Sequence, residues 1–99
     1  MAANLIVVPE AQEDLATIYD WYEAQGTGLG EDFLNCVDAC FERIRRTPEF
    51  YGIAFETYRR ALVRRFPYAA IYEAEASAIT IHGVFHTSRD SDTWRIRLP

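Results

Sequence analysis

Apolar and polar positions alternate with two different periods along this chain. Asn4 to Val8 is a short apolar run rich in β-formers, which predicts a strand. Pro9 follows, with Glu10, Glu13 and Asp14 behind it. Proline suits a first helical turn, and early carboxylates meet the positive end of the helix dipole. Ala11, Leu15, Ile18 and Tyr22 then recur three or four apart, the spacing of one helix face, as far as about Gln25. Gly26-Thr27-Gly28-Leu29-Gly30 predicts a loop. Glu31 and Asp32 open a second helix, with Leu34, Val37, Phe41 and Ile44 as its apolar stripe. It ends in Arg43, Arg45 and Arg46, cations at the negative end of the dipole, and Pro48 closes it. Two helices on a short loop predict an antiparallel hairpin.

The second half changes to period two. Strands are predicted at Tyr58 to Phe66, Ala69 to Ala74 and Ala78 to His86. Pro67-Tyr68 is the first bend and Glu75-Ala76-Ser77 the second turn. A polar loop from Thr87 to Asp92 and a tail from Trp94 to Leu98 complete the chain. The order β-α-α-β-β-β predicts one α+β domain over residues 1–99. A helical hairpin lies on one face of a mostly antiparallel, roughly four-stranded sheet, and the other face is partly open.

Alternation assigns side chains to those faces. Ile79, Ile81 and Phe85 are expected toward the helices, and Thr80, His82, Val84 and His86 away from them. On the preceding arginine-rich strand, Ala61 and Val63 point to the core, with Arg59 and Arg65 at its rim. Tyr58, Arg60, Leu62, Arg64 and Phe66 take the open face, because mid-strand arginines do not stay buried unpaired. On this assignment Arg60, Arg64, His82 and His86 share one surface, flanked by Tyr58 and Phe66.

Composition fits this outline. With 99 residues, 49% of them hydrophobic, the chain is long enough for one core. No apolar run approaches the roughly 18–20 residues of a membrane span. The opening Met-Ala-Ala-Asn has no basic region of a signal peptide, so the expected compartment is the cytoplasm. The net charge of −5 is unevenly spread. Residues 1–42 hold nine Asp or Glu and no Arg or Lys; residues 43–99 hold ten Arg against six acids. Every cation is Arg, whose planar fork suits phosphate and carboxylate. The acidic total speaks against broad nucleic-acid binding, and no sequence-specific DNA binding is expected.

Cys36 and Cys40 share a helix face and read as packed, reduced thiols. Zinc sites usually need four ligands and no further cysteine exists, while a disulfide within one helical turn would be strained. The glycine loop follows a helix rather than a strand and lacks lysine, so it is not a phosphate loop. No metal or cofactor is implied. Tyr19, Trp21 and Tyr22 are expected to pack the hairpin, Arg89-Asp90 to pair within the polar loop, and Trp94 to pack that loop onto the body.

Arg, His and Tyr together are a phosphate-handling set. Guanidinium stabilises negative charge on phosphorus, and His or Tyr moves protons. Exposed arginines on a sheet serve equally as solvation and edge protection.

Three stretches carry a family resemblance. The first is Pro9-Glu10-Ala11 through Asp14-Leu15 to Tyr19-Asp20-Trp21-Tyr22. The second is Gly28-Leu29-Gly30-Glu31-Asp32-Phe33. The third runs from Tyr58 to Tyr68, then Ile71-Tyr72-Glu73, Val84 to Asp90, and Trp94. In their order and spacing the chain resembles the RelE/ParE toxin superfamily of type II toxin–antitoxin systems, the ParE branch more than the RelE branch. The resemblance implies a helical hairpin on a small antiparallel sheet and a plasmid-stabilisation toxin neutralised by a cognate antitoxin. A ParE-like toxin inhibits DNA gyrase by binding. A RelE-like toxin is an endonuclease that cuts messenger RNA on the ribosome, and Arg60, Arg64, Arg65 and His86 fall where its catalytic groups lie. The lysines and strongly basic surface of the RelE pattern are missing. A relative that binds antitoxin without toxicity is the third reading. The implied binding residues are Tyr58, Arg60, Arg64, Phe66, His82, His86, Arg89 and Trp94. One departure is Val8, which stands where Ser or Thr commonly caps the first helix; a missing cap costs about 1 kcal/mol.

Overall fold

A computed structural model describes residues 4–88 and 94–99. Strand β1 (Asn4–Val7) leads through extended Val8 into helix α1 (Pro9–Gln25). Val8 gives no side-chain cap, as expected; Gln12 Nε2 instead donates back to the Val7 carbonyl at 2.9 Å.

Helix α2 (Leu29–Arg46) begins two residues earlier than its acids suggest. Glu23 explains the early start. Its Oε1 accepts from the amides of Gly28 (2.8 Å) and Gly30 (2.9 Å), so a carboxylate of α1 caps the positive end of α2. Gly28 occupies the left-handed region (φ 90°), which suits glycine. Gly30 lies against Tyr19, where a Cβ would meet the ring at 2.7 Å.

Four further strands follow: β2 (Ile53–Phe55), β3 (Tyr58–Leu62), β4 (Tyr68–Ala74) and β5 (Ala78–His86). The sheet order is β1-β5-β4-β3-β2, with β1 parallel to β5 and the other pairs antiparallel. The α+β architecture is the expected one, extended by the short edge strand β2.

The main core lies between hairpin and sheet. Phe33, Val37, Cys40 and Ile44 of α2 meet Ala61, Ala70, Tyr72, Ile79, Ile81 and Val84. Cys40 is fully buried, which pushes its thiol above the usual range. Both cysteines are free thiols. Tyr72 is buried and donates to the Pro48 carbonyl at 2.6 Å, tying the loop after α2 to the sheet. Tyr22 packs on Phe33 and Phe66. Trp21 is a correction to the expected packing: it is 57% exposed, touching Tyr22 edge-on. Among the described residues no helix is long and apolar enough to cross a membrane.

Two irregularities change the expected faces. The arginine strand ends at Leu62, and Arg65 takes a left-handed conformation (φ 72°) in the turn to β4. Phe66 therefore swings to the hairpin side, onto Tyr22 and Phe33, and not onto the open face. Strand β5 carries a bulge. Tyr72 pairs Ile81 and Ile71 pairs Gly83, so His82 is the extra residue. Beyond it the faces exchange: Val84 enters the main core, Phe85 leaves it, and His86 joins Tyr68 on the hairpin side.

The second face is open only in part, at Arg60 and Leu62. Trp94 and Leu98 of the tail cover Tyr58, Ile71 and Phe85, with Phe55 packed alongside, in a second small core.

Candidate functional site

Arg60 and Leu62 project from β3 on the face away from the hairpin, and Arg64 from the turn beyond it. Each is exposed. The last turn of α2 brings Arg43 and Arg46 to the same place, and the following loop adds Phe50 and Tyr51. Together with Thr47 these side chains line a groove of about 670 Å³. No acidic residue is among them. Its walls are held from behind. Arg59 donates to the Tyr51 carbonyl (2.6 Å) and the Glu49 carbonyl (3.3 Å), and Arg43 Nε to the Tyr51 hydroxyl (3.4 Å). Among the described residues Arg46 reaches only Glu42, at 3.9 Å. Arg60 and Arg64 have no polar partner among the described residues. Phe50 is 79% exposed and Leu62 54%.

Tyr58 and His82 lie under the tail instead. Tyr58 is buried, its ring edge-on to His82, and its hydroxyl donates to the Pro99 carbonyl at 3.0 Å. Burial, then the charge of Glu73, raises its pKa. His82 Nε2 sits 2.8 Å from Glu73 Oε1, and Thr57 donates to the other oxygen of that carboxylate at 2.8 Å. Trp94 is buried beside Tyr58. Arg97 closes the tail down. It grips Asp14 through both nitrogens, donates to the His82 carbonyl and lies 4.6 Å from the centre of the Phe85 ring. The hydrogen bonds to Asp14 raise its pKa further.

His86 stands apart from both. Its Nδ1 accepts from the Ser88 amide (3.0 Å) and lies 2.7 Å from Ser88 Oγ, so a neutral ring carries its proton on Nε2. It borders a groove of about 570 Å³ with Ile18, Trp21, Tyr22, Tyr68 and Val84. His86 and Arg60 meet only at a cavity of about 20 Å³ that Trp94 also lines. That volume holds roughly one water molecule. No scissile phosphate fits between the two residues.

The expected single surface thus divides into three. Arg60 and Arg64 share the arginine groove; Tyr58, His82 and Trp94 lie under the tail; Phe66 and His86 turn to the hairpin side. Arg65 is exposed at the turn, its guanidinium 5.7 Å from the centre of the Phe66 ring. Arg89 lies outside the described residues. Sequence reasoning assigned Arg43 and Arg46 to the helix dipole alone and passed over Phe50 and Arg97. A cationic helix end followed closely by exposed aromatics was the available signal for the first three. Arg97 carried none.

Comparison with known proteins places this geometry. The family model described as ParE toxin of type II toxin-antitoxin system, parDE, matches residues 5–91. No curated protein matches the chain. Among solved structures, one described as the chromosomal ParDE TA system from P. aeruginosa superposes with a TM-score of 0.78 at 18% identity. The match covers 88% of this chain and 98% of that one, and shows a shared fold.

Proposed function

This chain belongs to the ParE toxin family of type II toxin–antitoxin systems, and we propose that it stops growth by binding DNA gyrase and is neutralised by a cognate antitoxin. It acts in the cytoplasm in this reading, as the toxin of a stabilisation system. The observation that carries it is that Arg60 and Arg64 share a groove with neither histidine. The arginine groove holds no His, Asp or Glu. The two histidines are occupied elsewhere, His82 by Glu73 and His86 by Ser88. General acid–base catalysis needs a titratable group within reach of the reacting atoms, so binding fits these surfaces better than cutting does. Two grooves that share no residue suit two protein partners. The one beside Trp21 is assigned to the target.

The ribonuclease reading needs Arg60 and His86 on one phosphate, and the two share a cavity of only about 20 Å³. Gyrase supercoiling with the purified chain tests the choice. Inhibition at saturating protein, with no cleavage of messenger RNA on translating ribosomes, is the expected result. Undiminished supercoiling together with messenger cleavage would overturn it.

A further inference from the structure

We infer that the arginine groove receives an acidic, apolar-tipped segment of the antitoxin, an inference that rests on reading the chain as a neutralised toxin. Charge is the first argument. Arg43, Arg46, Arg60 and Arg64 surround the groove with no carboxylate among its lining. Arg60 and Arg64 carry no polar partner among the described residues. Guanidinium is weakly hydrated and forks onto carboxylate, so it gives up water readily for an acidic side chain.

Shape is the second. Phe50 and Leu62 are large, apolar and more than half exposed, and they face this one groove. An exposed apolar patch rimmed by charge marks a protein contact. A leucine or phenylalanine flanked by Asp or Glu satisfies both parts at once. Preorganisation is the third. Tyr72 fixes Pro48, and Arg59 fixes Glu49 and Tyr51, so the loop that carries Phe50 loses little freedom on binding.

A nucleic acid fits less well. The chain carries net charge −5, with nine acids and no cation in residues 1–42. A long polyanion meets that field along its length, whereas a short segment is screened from it beyond roughly 10 Å.

The test begins with a random peptide library selected against the purified full chain. The selected peptides are measured by fluorescence anisotropy on the wild type and on the double variant R60A/R64A. Single-stranded RNA and DNA oligonucleotides are measured beside them. The expected peptides carry Asp or Glu around a large apolar residue. They bind roughly tenfold or more weakly to R60A/R64A, while Ile6→Ala, on the far edge strand, leaves binding unchanged. Unchanged thermal midpoints establish that the variants fold.

In cells, the selected peptides relieve growth arrest by the wild type. Four results overturn the inference: no selection of peptides, no acidic bias, binding indifferent to R60A/R64A, or tighter binding of the oligonucleotides. Loss of growth arrest in a folded R60A/R64A also overturns it, because the groove then serves the target. A wild type that arrests nothing yet binds acidic peptides through Arg60 and Arg64 sinks the toxin reading alone.

Discussion

Arg97 grips Asp14 through two parallel hydrogen bonds of 2.8 Å, joining the end of the chain to helix α1. Asp14 Oδ2 also accepts from the Val84 amide just past the bulge, and Arg97 donates to the carbonyl of His82 in the bulge itself. One ion pair therefore holds helix, strand and tail together. Arg97→Ala removes it and leaves the Asp14 carboxylate, which is 17% exposed, short of a cation. Hydrogen bonds to charged groups are worth about 1.5–3 kcal/mol, and partial exposure reduces this to about 1–2 kcal/mol. Urea unfolding should show a loss of that size. A midpoint equal to the wild type would mean that the tail is held by its other contacts, Trp94, Leu98 and the Tyr58–Pro99 hydrogen bond among them.

Gly83 makes room for this arrangement. A Cβ there would collide with the Phe85 ring and come within 2.7 Å of an Arg97 nitrogen. Gly83→Ala forces one of them aside, at about 1–3 kcal/mol. The tail should loosen first. In a Trp21→Phe background, Trp94 fluorescence reports on it alone, since the chain has two tryptophans. Quenching by acrylamide should rise in Gly83→Ala; an unchanged quenching constant would argue that the bulge relaxes without releasing the tail.

The same bulge marks where the sequence stopped being legible. Both helices, the five-residue core of β3 and the whole of β5 follow from apolar period, proline and charge. The face of each β5 residue follows only as far as His82. One inserted residue reverses parity, and nothing in the alternation of Ile79, Ile81 and Phe85 signals it. Arg65 has a similar effect at the other end of the site, since its left-handed turn moves Phe66 across the sheet. Strand β2 is three residues long, too short for a period to show. Arg97 and Asp14 are 83 positions apart, and their pairing is a property of the fold rather than of any local pattern. Arg60 is exposed as expected, because a mid-strand guanidinium has nowhere to go but solvent, whereas Arg64 is exposed from the turn beyond the strand.

Tyr72 gives an alkaline signature. Burial, against the favourable field of Arg59, pushes its pKa up from 10.0 to about 12. The folded state thus holds the phenolic proton more tightly than the unfolded chain does. Stability from this group is fully present below pH 10 and is lost as pH rises toward 12. Tyr72→Phe forfeits the hydrogen bond to Pro48, costing about 1 kcal/mol at neutral pH, and should flatten the alkaline decline. Urea midpoints across that range would show it; parallel declines in both proteins would assign the loss to other tyrosines.

Trp21 separates the two partner surfaces. It is 57% exposed on α1, in the groove shared with Tyr22, Tyr68 and His86, and no element among the described residues covers it. An exposed tryptophan beside half-buried aromatics has the character of an interface anchor, whose truncation costs about 2 kcal/mol or more of binding. Trp21→Ala should therefore weaken inhibition of gyrase supercoiling by tenfold or more, that energy expressed as a ratio. Stability should fall less than binding does, because more than half of Trp21 is exposed. His86→Gln keeps the ring's place beside Tyr68 with an amide and removes proton transfer. Inhibition by that variant should stay within about twofold of the wild type, a difference small beside the anchor effect. Collapse of activity in a folded His86→Gln, with Trp21→Ala unaffected, would point to chemistry at His86 instead of binding at Trp21.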